Sequence, residues 1–490
     1  MKAASTIFQK RFLILSLLAI ISLGALLRFT KLDVQSLWND ELSSLNRINK
    51  TGLLQVIADS KNDVHPPLYY SLLYLWQNTF EKSACSARAL SAFLGTLSIL
   101  AIFFLGKELY AEKEGLISAL IFSTSYFGIY YSQEARSYSL LLLLSICSYL
   151  FFIKALRQQS VSAPAAGRLL TAFMYVLFTA LLMYAHYFGV LVFLSQSAYI
   201  FIRLLKARDK KTAAPLLYQA CTAVLYIPQG IVLTSLADIK ETWIERPDPD
   251  FLLYYFNEYW GRSEPFFILA LFCIFWFVRL RKNVLAKEKA ESTERPDSFF
   301  LLASWYCVPL AAAYARSIFS TPILTPRNTI IVLPALIVMM ARGAAGFKHK
   351  DLTAALTSLL FIAGLCSLFI TNDYYRKITK EQFRETAQVV LDNKKIADHS
   401  IIAACAWSPY YFDYFFEQSG APYRVSGIYR SKEDVSALDT LVKESGKKYV
   451  WYLIGAKNPE PEFLEHLKSN YTVLGNSRFT GCGVFLLKVK

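Results

Sequence analysis

The chain is built from long apolar blocks separated by short polar joints. A helix needs about 20 mostly apolar residues to cross the roughly 30 Å hydrocarbon core of a bilayer. Blocks of this kind, or slightly shorter, run over 12–29, 87–105, 115–131, 138–153, 170–185, 188–202, 213–229, 266–278, 299–315, 329–340 and 352–370. The pattern predicts about eleven membrane helices. The first block follows Lys2, Lys10 and Arg11, the layout of a signal peptide. Its length, the lack of a small-x-small cleavage site and the blocks that follow make it a retained helix. Beyond residue 370 the pattern changes. Residues 381–395 and 431–445 carry a helical period, while 401–404, 449–454 and 484–487 are short apolar runs that read as strands. The expected architecture is an all-α polytopic membrane domain, 1–370, followed by a small α/β domain, 371–490. No internal repeat of 20–50 residues is visible.

Composition agrees. Of 490 residues 54% are hydrophobic and 18% charged, against about 25% charged in soluble domains, and the mean hydropathy is +0.33. The net charge of +15, from 52 basic and 37 acidic residues, would suit nucleic acid in a polar chain. Here it marks topology. With the N-terminus inside, the segments 1–11, 106–114, 154–169, 203–212, 279–298 and 341–351 hold 22 Lys and Arg against 9 Asp and Glu. The short joints 132–137, 186–187 and 316–328 on the other side hold only Arg136, Arg316 and Arg327. The positive-inside rule therefore places the N-terminus in the cytoplasm and an odd number of helices places the tail outside. The expected location is a bacterial inner membrane, with membrane lipids as surroundings and no nucleic acid as partner. Of eight cysteines, five lie within spans as packing residues, and Cys85 lies at a membrane edge. Cys405 and Cys482 fall in the tail, where a disulfide is chemically open.

The polar residues of the outer face carry the candidate chemistry. The first outer segment, 30–86, contains Trp38-Asn39-Asp40-Glu41. Asn39 or Asp40 reads as the N-cap of a helix over 42–57. A carboxylate so held also suits a base. The same segment continues Asp63-Val64-His65-Pro66-Pro67-Leu68-Tyr69-Tyr70, where two prolines start a helix over 68–80 that lies along the membrane. Asp63 and His65 read either as loop polarity or as a weak two-ligand metal signal. The joint after the third span reads Gln133-Glu134-Ala135-Arg136-Ser137-Tyr138, and the joint after the fifth is His186-Tyr187. Arg327 opens the tenth span. Arg136 and Arg327 read either as headgroup anchors or as phosphate ligands, since guanidinium matches phosphate oxygens bidentately. Aromatic residues over 251–260 suit an interfacial helix covering a cavity, with Glu245 and Arg246 at its rim. No comparable cluster lies on the inner side. Carboxylates and arginines gathered at one lipid boundary point to chemistry on a lipid-linked phosphate. A secondary transporter, the remote alternative, would place charges near the midplane and show repeats, whereas here the spans are nearly charge-free and no repeat is visible.

Asn39-Asp40-Glu41, the Asp63-x-His65-Pro66-Pro67-Leu68-Tyr69-Tyr70 run and Gln133-Glu134-Ala135-Arg136-Ser137-Tyr138 together resemble the bacterial glycosyltransferase family 39 group. That group is similar to protein O-mannosyltransferases and to the aminoarabinose transferase acting on lipid A. The resemblance covers about 10–340 and implies the membrane fold called GT-C. It implies a glycosyltransferase that moves one sugar from a polyprenyl-phosphate donor to a hydroxyl of a lipid, glycan or protein acceptor, with inversion. Asp40 would take the acceptor proton and Glu41 would support it. Arg136, Arg327 and Tyr138 would stabilise the departing phosphate. Gln133 and Glu134 would contact the sugar or hold Arg136. Asp63 and His65 would orient Asp40 or bind phosphate, with His186 and Tyr187 lining the substrate site. No cofactor is required by the motifs, and a divalent cation stays open. The nearer alternative within glycan chemistry is a ligase or polymerase that transfers a whole lipid-linked oligosaccharide.

Overall fold

The computed structural model describes residues 2–60, 65–158, 164–207, 213–235, 243–288 and 297–490. Two compact units divide the chain: residues 1–30 with 51–375, and residues 31–50 with 376–490.

The first unit is helical. Eight of its described helices are long and apolar enough to cross a membrane, and a ninth span exists if Phe251–Tyr259 and Glu264–Arg281, bent by 105°, count as one. Each of the eleven predicted blocks is helical in whole or large part. Gly189–Leu205 is a shorter apolar helix. A helix satisfies its own backbone groups, which is what lets so apolar a chain leave water. Ala84–Leu109 is the central member: it packs on the first helix Lys2–Phe29, on Glu112–Ser123 and on Tyr138–Gln158.

The predicted span 115–131 is broken. Glu112–Ser123 stops, and Tyr126–Ser132 starts anew with the Ser125 hydroxyl accepting from Gly128 N–H at 3.2 Å. The break frees carbonyls that lipid would not satisfy. Arg28, fully buried on the first helix, donates to the carbonyls of Ser123 and Phe122 at 3.1 and 3.0 Å and lies 4.9 Å over the Phe122 ring. Gly95 completes the joint, because a Cβ there would collide with the Ser132 side chain.

The second unit carries a five-stranded sheet. Its strands are β1 (Ser400–Cys405), β2 (Gly427–Ile428), β3 (Tyr449–Gly455), β4 (Tyr471–Phe479) and β5 (Cys482–Val489), in the order β2-β1-β3-β5-β4. β1 pairs parallel with β2 and β3, and β5 pairs antiparallel with both β3 and β4. Ile401, Ala403, Val450, Tyr452 and Leu487 form its core with Leu438, Phe463 and Leu467 from the covering helices. The predicted α/β pattern is thus present. The helices Tyr410–Gln418 and Pro461–Asn470 and the edge strand β4 add to it. Cys405 and Cys482 are both free thiols. Cys405 pairs in register with Ile454, and Cys482 pairs with Gly455 from the far side of β3. With β3 between them the two cysteines lie about two strand spacings, roughly 10 Å, apart, beyond the reach of a disulfide.

The boundary expected at 370 lies close to the observed division after Tyr375, with one difference. Residues 31–50, read as part of the membrane domain, fold with the tail. The Gln35 side-chain oxygen accepts from Thr379 and Lys380 N–H at 2.9 and 3.1 Å. Arg384 donates to the carbonyls of Asp33 and Val34, and its own N–H reaches Ser36 Oγ at 3.0 Å.

Candidate active site

In the second unit, the acidic motif opens the helix Asn39–Ile48. Its N-cap is Trp38, not Asn39 or Asp40 as expected, and Glu41 Oε2 accepts from Trp38 N–H at 3.4 Å. The expected single helix over 42–57 is two, with a break before Leu53–Asp59. The two adjacent carboxylates face different surroundings because successive helical side chains diverge by about 100°. Asp40 is half-buried. Glu41 is fully buried and pairs with Lys380 Nζ at 3.3 Å, itself only 4% exposed. The next residue, Glu381, accepts from Asn39 N–H at 2.8 Å. Burial raises its proton affinity, the Asn39 bond opposes that, and the nearby Asp40 charge adds to it. Glu41 therefore supports the turn that presents Asp40. Lys380 and Glu381 were not singled out from sequence, since nothing local ties a tail lysine to a carboxylate more than 300 residues earlier.

In the first unit, a cationic cluster forms around Arg136. Arg136 Nη2 lies 2.7 Å from His65 Nε2, and Nη1 donates to the Tyr70 hydroxyl at 3.4 Å. The Arg136 carbonyl accepts from Ser91 Oγ at 3.3 Å, and Ser91 meets the Tyr69 hydroxyl at 3.1 Å. The helix Leu68–Thr79, started by the two prolines, thus delivers Tyr69 and Tyr70 to the joint that carries Arg136. The His65 ring lies 5.1 Å from the His186 ring, which lies 6.2 Å from Tyr138. Asp63 falls outside the described residues.

His186 follows the last turn of Ala165–Ala185 and is 3% exposed. Its Nδ1 accepts from Phe188 N–H at 3.1 Å, which assigns the proton of the neutral ring to Nε2. That buried Nε2 has no hydrogen-bond partner among the described residues. Burial pushes the imidazole down to about 3, and the charges of Arg136 and Arg327 push the same way. His186 is therefore a neutral N–H donor at physiological pH, within reach of two guanidinium charges. Its folded-state proton affinity lies below the unfolded value near 6.5, so the unfolded chain binds more protons between pH 6.5 and 3. Stability falls as pH drops through that window. Thermal unfolding at pH 7 and pH 5 should show a larger loss in the wild-type chain than in His186→Gln; equal losses would contradict the buried neutral ring.

The other candidates divide. Arg327 lies 4.7 Å over the exposed Trp243 ring. The Tyr187 hydroxyl accepts from Gln229 Nε2 at 3.0 Å. Glu134 is fully buried, within electrostatic reach of Tyr126, Tyr130, Tyr131 and Tyr374. Gln133 does structural work: its side-chain amide donates to the carbonyls of Leu27, Arg28 and Thr30 at 3.3, 2.9 and 2.8 Å, closing the end of the first helix. Arg88, 2% exposed and acting on Tyr374, was overlooked although a buried arginine inside a predicted span is itself a functional signal. The aromatic segment after Asp250 is the helix Phe251–Tyr259, with Glu245 and Arg246 exposed before it. Among the described residues no group of three His, Cys, Asp or Glu is placed to hold a metal ion.

Residues 64–227 match the model of the dolichyl-phosphate-mannose-protein mannosyltransferase family. The fold is similar to that of ArnT from Cupriavidus metallidurans, solved in the apo state. The TM-score is 0.62 at 12% identity, over 96% of this chain and 97% of that one. The same protein bound to undecaprenyl phosphate matches at 0.59 and 12%, with the same coverage. The oligosaccharyltransferase AglB from Archaeoglobus fulgidus, solved with an inhibitory peptide and a dolichol-phosphate, matches at 0.56 and 12%, over 98% of this chain and 74% of that one. No match is found among curated protein sequences. The chain has the GT-C fold and the long apolar helices of a multi-pass membrane protein.

Proposed function

We propose that this GT-C glycosyltransferase transfers one monosaccharide from a polyprenyl-phosphate donor to an acceptor hydroxyl, with inversion at the anomeric carbon. The observation that carries this is the Arg136 cluster, a guanidinium set among His65, Tyr70 and the buried N–H of His186, with Arg327 in electrostatic range. A sugar that leaves as a lipid phosphate develops negative charge on the phosphate oxygens. Preorganised donors in a water-poor site stabilise that charge without reorganising. Arg136 supplies a bidentate fork, and His186 supplies a neutral donor that does not repel the arginines. Tyr138 and Tyr187 would line the sugar side.

The steps balance simply. The acceptor oxygen bonds to the anomeric carbon, the bond from that carbon to the phosphate oxygen breaks, and Asp40 takes the acceptor proton. An alcohol is a weak acid, so the proton moves late, as positive charge builds on the sugar. Glu41 holds the turn that carries Asp40. The charge asymmetry of the joints supports an N-terminus in the cytoplasm and a tail outside the bacterial inner membrane. The lipid donor is then made inside and used outside. Transfer of a whole oligosaccharide is the second reading, favoured by the fold shared with AglB.

Arg136→Ala tests the phosphate role. Losing one such donor costs about 10²–10³-fold in rate, and the loss should appear chiefly as weaker use of the lipid-phosphate donor. Arg136→Lys should restore little, because lysine lacks the fork. Unchanged donor dependence in Arg136→Ala would overturn this role.

A further inference from the structure

The second unit contains a feature that the transfer reaction does not use. Its parallel strands run in the order β2-β1-β3. From β1 the chain leaves through Tyr410–Gln418 to β2 on one side, and from β3 it leaves through Pro461–Asn470 toward β4 on the other. The connections diverge between β1 and β3, and ligands of open α/β sheets bind at such a switch point, outside the carboxyl ends of the strands.

Three chemically apt residues stand at that end. Trp407 follows β1 and is 56% exposed, large for an indole. Lys457 follows β3, and its Nζ lies 4.3 Å over the Trp407 ring. The turn that carries Lys457 is specifically built: Ala456 has φ +59, its N–H donates to Gly481 O at 3.2 Å, and Cys405 Sγ donates to Lys457 O at 3.4 Å. Arg430 follows β2, and both it and Lys457 act electrostatically on the Cys405 thiol between them. Lys457 and Arg430 are half-buried, and neither has a salt bridge among the described residues. The Asp434 carboxylate beside this group accepts from the backbone N–H groups of Arg430 and Ser431 and from the Ser431 hydroxyl.

We infer that the carboxyl edge of this sheet is a binding site for an anionic saccharide, whose ring lies against Trp407 and whose phosphate or carboxylate is held by Lys457 and Arg430. An exposed indole offers a flat apolar face to the C–H face of a sugar. The two cations supply the anion's counter-charge, which a neutral sugar would leave unused. The helix of Asp40 lies at this same edge. Gln382 N–H donates to Thr480 O at 3.0 Å beside the β4–β5 turn, and the preceding Glu381 holds Asn39. An acceptor glycan bound at the edge would thus be held on the unit that carries Asp40. The binding claim itself rests on the second unit alone and does not need Asp40 to be the base.

The test uses the full-length protein in nanodiscs, with ligand-observed saturation-transfer NMR. The probes are glucose 6-phosphate, glucose and inorganic phosphate. Glucose 6-phosphate should bind saturably and more tightly than either fragment. Trp407→Ala and the double change Lys457→Met with Arg430→Met should each weaken it at least tenfold, while Asp40→Asn leaves it unchanged. A glycolipid bearing the same phosphorylated hexose, competing with the soluble probe, would identify a membrane-borne source for the same ligand chemistry. No saturable binding, binding untouched by these variants, or phosphate binding as tight as the sugar phosphate would overturn the inference. Trp407 and Lys457 lie at the surface, so their substitution should leave the sheet folded, which thermal unfolding of the variants checks directly.

Discussion

Asp40→Asn is expected to cut sugar transfer by about 10²–10⁴-fold, the usual worth of a positioned general base, with insertion and folding intact. The substitution keeps the side chain's size and removes its capacity to take a proton. Asp40 is half-buried in the first turn of its helix, and its backbone carbonyl already accepts from Ser44 Oγ at 3.1 Å, so the turn should survive. Asparagine in a first turn costs little helix stability. One further readout separates a base from a scaffold residue. Glu381 is held above its ordinary proton affinity partly by the Asp40 charge. Asp40→Asn should therefore lower the proton affinity of Glu381, measurable by infrared titration of the carboxyl band. Wild-type transfer rates in the variant would remove Asp40 from the mechanism.

Lys380→Met is expected to destabilise the second unit by about 3–5 kcal/mol, the cost of taking the charged partner from a buried ion pair. Glu41 is fully buried and Lys380 only 4% exposed, so water cannot replace the lost ammonium. The double change Glu41→Leu with Lys380→Met removes both charges and should recover most of the loss, since an apolar replacement of a buried pair is often neutral. Chemical unfolding of the purified chain measures both. If the double change restores stability but not transfer, Glu41 acts by holding Asp40 in place. If Lys380→Met is no less stable than the wild-type chain, the pair does not organise this turn.

How far the sequence carries can be seen residue by residue. The membrane helices are legible because lipid rewards uninterrupted apolar runs, and each predicted block proved helical in whole or large part. The break at Thr124 and Ser125 is not legible, since neither residue disrupts an apolar run and the evidence for the break lies in Arg28, nearly a hundred residues away. Asp40 and Glu41 look alike in sequence. Only the helix phase turns one inward to Lys380 and leaves the other partly exposed. Gln133 stands out as a polar residue in a short joint, but that its amide closes the end of the first helix is visible only in the fold. Strand β4 is mostly exposed along its length, so it lacks the alternating pattern that reveals a half-buried strand. In the Arg136 cluster, the His65-Pro66-Pro67 and Gln133–Tyr138 motifs mark the two segments that meet. The pairing of Arg136 with His65 and Tyr70 required the fold.

The central claim is that a polyprenyl monophosphate sugar is the donor and that one sugar moves per turnover. Mass spectrometry of polyprenyl lipids and surface glycans, from cells carrying the wild-type chain or Asp40→Asn, tests it most directly. The account predicts that the Asp40→Asn cells accumulate a polyprenyl monophosphate bearing a single sugar and lose that one sugar from a surface glycan, lipid or protein. Accumulation of a lipid-linked oligosaccharide with loss of the whole glycan, or identical profiles from both cell types, would contradict it.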